Sequence, residues 1–380
     1  MKDTAFQQLL KPLTKELIEE SVRRYRSDYG YEKFKTWDHL KVMIYAHLQE
    51  IKSLRLLEIA ANSQKLGESI EVHRTTLSDA NYKRNPMCFM WIAEQLMSLM
   101  PRKLRSTLKK VIKILDSSPI QLKGKGYNEW AKHYATSRCQ GLKLHVEYDL
   151  HLESPTGLAL SYANYNDVNM GRNWPILSDV VYVFDKGYYD YNWWWSIHQK
   201  KAFFVTRLKK NSAIVLGDAQ AITAENILED NLFKLKNKNP RGGKKNLYTE
   251  NLRRIRVARE GKSPLVLVTN FLDLPAEEVA ILYKNRWEIE LFFKWVKQNL
   301  KLKKFFGKSE NAVKIQLITA IIAYLLVWIF KNVSKDKRTL RHVLTWLKYN
   351  LHVLKYDNRE QGPPPDYPWI RRTGGVLFDY

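Results

Sequence analysis

The sequence predicts a mixed α/β protein: a helical domain first, a strand-rich middle carrying a β-rich insertion, and helices to finish. Three observations predict it. Apolar residues recur at helical spacing through the first 105 positions, short alternating or fully apolar runs fill positions 111–269, and helical spacing returns after Pro275. The boundaries that follow are 1–105 for the helical domain and 106–207 with 264–332 for the two parts of the α/β core. The insertion is 208–263, and 333–380 is a C-terminal helix and tail.

In the first domain, Thr14 opens a helix, and residues 37–48 keep the period after a polar segment. Residues 53–61 and 75–82 are two short helical stretches separated by a turn containing Gly67. They form either a helix-turn-helix or an ordinary helix pair with a solvated polar face. In the first case His73, Arg74, Thr75, Ser78, Asn81, Lys83 and Arg84 face DNA.

From Val111 the period changes. Residues 111–115 form a β-like run ending at Asp116, 142–150 alternate, and 157–163 follow a Ser-Pro turn. Residues 180–184 are fully apolar, as in a strand buried on both faces, and end at Asp185. A helical stretch, 191–199, leads to a strand at 202–207. The insertion includes a basic loop at 234–245 and an alternating run at 248–257 that places Arg253, Arg254 and Arg256 among apolar residues. A strand at 264–269 resumes the core. One long helix then runs over 275–300, with Pro275 at its start and Glu277 and Glu278 in its first turn. Helices at 309–332 and 338–354 follow, then a Pro-rich tail from Gly362.

Composition narrows the partner. Lys and Arg number 63 against 39 Asp and Glu, a formal net charge of +24 that attracts polyanions. Two cysteines, Cys88 and Cys139, exclude a disulfide framework or a cysteine zinc site. The longest apolar run, 317–330, is shorter than the roughly 20 residues of a membrane span and reads as a buried core helix. The N-terminus lacks an apolar signal region, so the expected location is cytoplasmic, at the nucleoid, with no membrane partner. His133, His145, His151 and His198 lack zinc spacing and read as structural or surface residues. Gly124-Lys-Gly lacks the P-loop pattern. Trp193-Trp194-Trp195 reads as a core or surface element, with base stacking the alternative; Asn166 and Asp167 follow a strand and lie either near the site or, more simply, in a turn.

The chemistry sits on three acids. At about 100° per residue, Tyr283, Arg286, Glu290, Lys294 and Lys297 fall within an arc of roughly 80°, with Leu282, Ile289, Phe292, Val296 and Leu300 on the buried side. Alone, this is a solvated face with an i,i+4 pair. Asp116 and Asp185, each at the end of an apolar strand where side chains meet a crevice, change that reading. Three carboxylates on two strands and a helix suit Mg²⁺, and two such ions serve phosphodiester chemistry.

These residues carry a resemblance. Tyr283-x₂-Arg286-x₃-Glu290-x₆-Lys297 resembles the Y-x₂-R-x₃-E-x₆-K signature of DDE transposases from bacterial insertion sequences, in the family numbered four. Asp185-Lys-Gly-Tyr resembles its second-acid motif, Asp116-Ser-Ser-Pro-Ile its first-acid strand, and Gly141-Leu-Lys-Leu-His also looks familial. The likeness covers residues 36–330. It implies an RNase H-like catalytic core interrupted by a β-rich insertion. Asp116, Asp185 and Glu290 would bind two Mg²⁺ ions, with Mn²⁺ able to substitute. Tyr283, Arg286, Lys294 and Lys297 would contact transposon-end phosphates, and Arg74, Lys83, Arg84, Arg253 and Arg254 would add DNA contacts. The implied reaction is cut-and-paste excision through hairpin ends, then strand transfer into target DNA. The implied partner is double-stranded DNA with terminal inverted repeats; coordinated cutting of two ends suggests a second copy of the chain, and the apolar spacing of residues 340–354 makes them the expected interface. No Trp lies between Trp195 and Trp287, so Tyr248 or Phe233 would stack a flipped base. The alternatives are a DNA-binding protein derived from a transposase, and a nuclease that does not join strands.

Overall fold

The structure, a computed structural model, describes residues 3–66, 71–100, 108–133, 140–222, 224–236, 245–299 and 305–353. The expected turn glycine Gly67, Cys139, Leu300, most of the basic loop and the tail from Gly362 lie outside the described residues. In chain order α1 (Ala5–Leu10), α2 (Lys15–Tyr25), α3 (Thr36–Leu48), α4 (Leu54–Ser63), α5 (Arg74–Lys83) and α6 (Met87–Ser98) come first. Then follow β1 (Val111–Leu122), β2 (Lys132–His133), β3 (Gln140–Asp149), β4 (Ser154–Tyr162), α7 (Asp167–Asn173), β5 (Val180–Phe184), α8 (Tyr191–Gln199) and β6 (Phe203–Arg207). Next are β7 (Ile214–Ala219), β8 (Ile227–Leu235), β9 (Leu252–Arg259) and β10 (Lys262–Thr269). The chain continues through α9 (Ala276–Asn285), α10 (Trp287–Asn299), α11 (Glu310–Val333) and α12 (Leu340–Asn350).

The chain divides into two compact units. The first, Met1–Pro101 with Lys123–Ala131 and Phe293–Tyr380, gathers helices from both ends of the sequence around α11. Residues 315–330 are buried without interruption, because an all-round apolar helix needs neighbours on every side. By length and composition α11 is apolar enough to cross a membrane, but in this unit it is enclosed by α3, α5, α6 and α12. His47 Nε2 and Thr319 Oγ1 meet at 3.0 Å and satisfy the polar atoms within this packing. The end of α12 is tied to the start of the chain by backbone bonds, Phe6 N–H to Leu351 C=O and Ala5 N–H to Val353 C=O. Val343, Leu344 and Leu347 of α12 face inward. This corrects the expected dimer surface: that apolar stripe is already covered by the chain's own helices.

The second unit, Arg102–Leu122 with Lys132–Phe292, holds one sheet of ten strands among the described residues. β1 pairs antiparallel with β3 and parallel with β5, β3 pairs antiparallel with β4, and β6 lies parallel beside β5. β10, β9, β8 and β7 continue the sheet antiparallel from β6, so the strands of the expected insertion extend the same layer. β3 is buried on both faces over most of its length, although its sequence alternates, because it is a central strand flanked by β1 and β4. α8 packs Trp193 and Trp194 against Phe184 and Phe204, with the Trp194 indole N–H donating to the Tyr188 carbonyl at 3.2 Å. The Trp triplet is thus chiefly core.

Three expectations in this unit need correction. Tyr248 and Phe233 are fully buried in that aromatic core, and the Tyr248 hydroxyl is engaged with His198 Nδ1 at 2.6 Å, so neither offers a face for a flipped base. Arg253 is buried and ion-paired with Asp230, and it also donates to the Leu272 and Leu274 carbonyls, which turns it away from DNA. The long helix expected over 275–300 is two helices, α9 and α10, meeting at Arg286. There the Arg286 N–H bonds to Tyr283 C=O at 3.2 Å, a tighter i−3 turn that breaks the α ladder.

Candidate active site

Strand register builds the site. Leu115 lies opposite Phe184 in the parallel β1–β5 pair, so the next residues, Asp116 and Asp185, emerge level with each other and on the same face. Val183 lies opposite Val205 in the β5–β6 pair, which brings Arg207 to the same level. β1 does not stop at Asp116, as its apolar run suggests. It continues to Leu122 along β3, and only the pairing with β5 ends there. Asp116 therefore sits where the sheet opens beyond the carboxyl ends of the parallel strands, the usual place for a site in α/β sheets.

The third acid arrives through Arg286. Its Nη1 donates to Asp116 Oδ2 at 3.0 Å and its Nη2 to Glu290 Oε1 at 2.5 Å, so one guanidinium bridges two carboxylates. The break between α9 and α10 sits at Arg286, which caps α9 while Glu290 lies in the first turn of α10. The guanidinium carbon lies 5.8 Å from the centre of the Tyr283 ring, which is buried beneath it. Asp185 is held by its own turn, accepting from Gly187 N–H at 2.7 Å. Gly187 is required there for space: a Cβ would lie 2.9 Å from Asp185 Oδ1.

The electrostatics mark this group. Burial raises the Asp116 carboxyl to about 7 and the charge of Asp185 pushes it the same way, against the Ser117 N–H and Arg286, which lower it. The donors are hard carboxylate oxygens, three carboxylates with one guanidinium shared between two of them, and the excess negative charge fits a divalent cation. Among the described residues no three His, Cys, Asp or Glu side chains converge closely enough to cage a cation unaided; Arg286 stands between Asp116 and Glu290. Positive charge gathers near Asp185 as well. Burial lowers the Lys186 ammonium, and Arg207 and Lys210 reinforce the shift. Sequence reading passed over Lys186 and Arg207, although each adjoins or ends an apolar strand next to an acid.

The remaining candidates differ in exposure and pairing. Lys294 and Lys297 lie beyond Phe293 and belong to the first unit, Lys294 exposed and Lys297 half-buried, with burial lowering its ammonium. Arg254 and Arg256 share Glu229 at 2.5 Å each. On α5, Arg74, Thr75, Ser78 and Lys83 are exposed, and Lys83 pairs with Asp79 at 3.0 Å. Arg84 corrects its expectation. It is buried, donates to the Ser27 and Phe34 carbonyls, meets His39 Nδ1 at 2.9 Å and lies 4.1 Å over the Tyr31 ring. Asn81 is also buried, against His39.

Known proteins identify the family of the chain. The family described as "Transposase DDE domain" matches residues 107–326, and a domain family of unknown function matches residues 1–68. A protein of Sinorhizobium fredii named as transposase y4zB is 36% identical over 305 residues, spanning 78% of this chain and 82% of that one. A transposase named for insertion sequence element IS5377 of Geobacillus stearothermophilus is 28% identical over 288 residues, covering 73% of this chain and 70% of its own length. The fold is shared with the piggyBac transposase, seen by cryo-EM as a synaptic complex with hairpin DNA, at a TM-score of 0.51 and 8% identity, over 99% of this chain and 86% of that one. The chain belongs to the DDE transposases of bacterial insertion sequences.

Proposed function

We propose that this transposase excises its insertion sequence by divalent-metal-dependent cut-and-paste and joins it to target DNA, with Asp116, Asp185 and Glu290 as the catalytic acids. The observation that carries the reading is the level placement of Asp116 and Asp185 on parallel strands, with Glu290 tied to Asp116 through Arg286. The order β4–β3–β1–β5–β6, three antiparallel strands followed by two parallel ones, supports an RNase H-like core. On this reading Asp116, Asp185 and Glu290 hold two Mg²⁺ ions, or Mn²⁺ in their place. When bound, such ions supply Lewis-acid charge to the attacking and leaving oxygens of the phosphodiester.

The chain's own residues do the rest. Arg286, seated over the buried Tyr283 ring, orients the acids and meets the phosphate, while Lys186 and Arg207 add positive charge beside Asp185. Lys294 and Lys297 track the backbone of the transposon end, and exposed Arg74 and Lys83 of α5 meet its inverted repeat within the helical domain, 1–105. Two ends must be cut together, so the working form is a homodimer on DNA. The hairpin DNA in the piggyBac complex supports a route through hairpin ends. The exposed aromatic beside the acids is Trp287, directly after Arg286.

The test is a supercoiled plasmid carrying the element's two ends, incubated with Mg²⁺. Wild type should release the element and insert it elsewhere, and Glu290→Gln should do neither. Equal release by both proteins overturns the reading, and release without insertion by wild type reduces it to a nuclease.

A further inference from the structure

Asp167 is a carboxylate for which the sequence leaves two readings, a turn or a place near this site. In the structure it lies in the first turn of α7, and it does not cap that helix: its partners are elsewhere, and Asn166 makes no side-chain cap bond either. Its Oδ1 accepts from the Ser117 hydroxyl at 2.7 Å and from Lys143 Nζ at 3.2 Å. Ser117 directly follows Asp116, so the anchor is part of the strand that presents the first acid. Among the described residues Oδ2 accepts no hydrogen bond. It faces Gly187, where a Cβ would lie 3.1 Å from Asp167 Oδ2 and 2.9 Å from Asp185 Oδ1, so these two oxygens flank one point.

Two buried side chains packed against α7 each carry a polar atom with no partner. The Tyr188 side chain is fully buried and its hydroxyl has no hydrogen-bond partner, although a buried phenol normally has one. Burial raises that hydroxyl, and the charges of Asp167, Asp116 and Asp185 raise it further. His145 is likewise fully buried, with an unpartnered Nδ1 3.7 Å from Asp167 Oδ1. The placement of α7 is tight. A Cβ on Gly171 would come within 3.0 Å of the Trp193 ring and 3.1 Å of the Tyr188 ring, so the helix seats by a glycine on the residue that carries the orphan hydroxyl.

We propose that Asp167 is a fourth carboxylate of the catalytic centre and holds the divalent cation together with Asp185 through Oδ2. The inference rests on Asp116 and Asp185 being cation-holding acids. One oxygen of Asp167 is fixed by Ser117 and Lys143, which aims the other at Asp185 without further ordering.

Mn²⁺ binding to the full-length protein without DNA, read by calorimetry, tests this independently of cleavage. Wild type, Asp167→Asn and Asp116→Asn are compared, with thermal unfolding as a check that each variant folds. Asp167→Asn should weaken Mn²⁺ binding at least about tenfold, since even groups that only support metal ligands are worth 10–100-fold. If Asp167→Asn unfolds, the pair Asp167→Glu and Asp167→Gln isolates the charge at equal length: Glu should retain more affinity than Gln, whereas a merely structural role would move both alike. Wild-type affinity in Asp167→Asn with loss in Asp116→Asn overturns the inference and leaves the preceding reading standing. Wild-type affinity in both variants, or no binding by wild type, overturns that reading as well.

Discussion

Arg74 and Arg84 bracket one helix, α5, yet meet opposite surroundings. Arg74 is exposed, whereas Arg84 is enclosed and spends its donors on the Ser27 and Phe34 carbonyls and on His39. Arg84→Ala should lower unfolding stability by about 3 kcal/mol, since it leaves buried acceptors unmet, while Arg74→Ala should stay within about 0.5 kcal/mol and weaken DNA binding instead. Urea denaturation separates the two, and equal stability of both variants would contradict the assignment. The sequence shows only two neighbouring basic residues, Lys83 and Arg84. The partners that bury the second lie 45 to 57 positions away, beyond the reach of any local pattern. His39, in the same cluster, is fully buried, and burial together with the Arg84 charge holds its imidazole well below its ordinary 6.5. A depressed folded value means the unfolded chain takes up the proton first, so this contribution is complete above pH 6.5 and is lost as pH falls below it. Unfolding free energy should therefore decline below that pH more steeply in wild type than in His39→Gln; identical slopes would contradict it.

At the scale of elements, periodicity located most helices and strands but not their ends. The apolar run before Asp116 was legible, but the continuation of β1 to Leu122 was not, because it depends on pairing with β3. The break at Arg286 was hidden for a related reason: residues 276–299 keep helical spacing throughout, and only the turn at Arg286 departs from the ladder. The pairing of Arg286 with Glu290 was legible, since the two are four apart on one turn. Asp167 was not, because its partners Ser117, Lys143 and Gly187 come from three separate segments. α12 carries an apolar stripe that resembles a dimer surface until its packing is seen. Leu347→Ala should cost about 2–5 kcal/mol of unfolding stability, as for a buried leucine, and leave the oligomeric state on DNA unchanged. Dissociation of a DNA-bound dimer at unaltered stability would return that stripe to the interface.

For the whole molecule, the mixed α/β class and the flanking helices followed from period alone, but the assembly of the first unit did not. It joins Met1–Pro101 to Phe293–Tyr380, and no local feature of either segment announces the other. The net charge of +24 gives the molecule an affinity for DNA that does not depend on the acids, so binding and chemistry are separable. That separation permits the most direct test of the central claim, that Asp116 and Asp185 emerge level on parallel strands in order to cleave DNA. Single-turnover cleavage of a duplex carrying the element's end should be measured for wild type and Asp185→Asn, with end binding measured alongside. The rate should be at least about a thousandfold lower in Asp185→Asn, comparable to removing a main electrostatic group from an active site, with end binding near that of wild type. Cleavage within about tenfold of wild type, at equal binding, would contradict it.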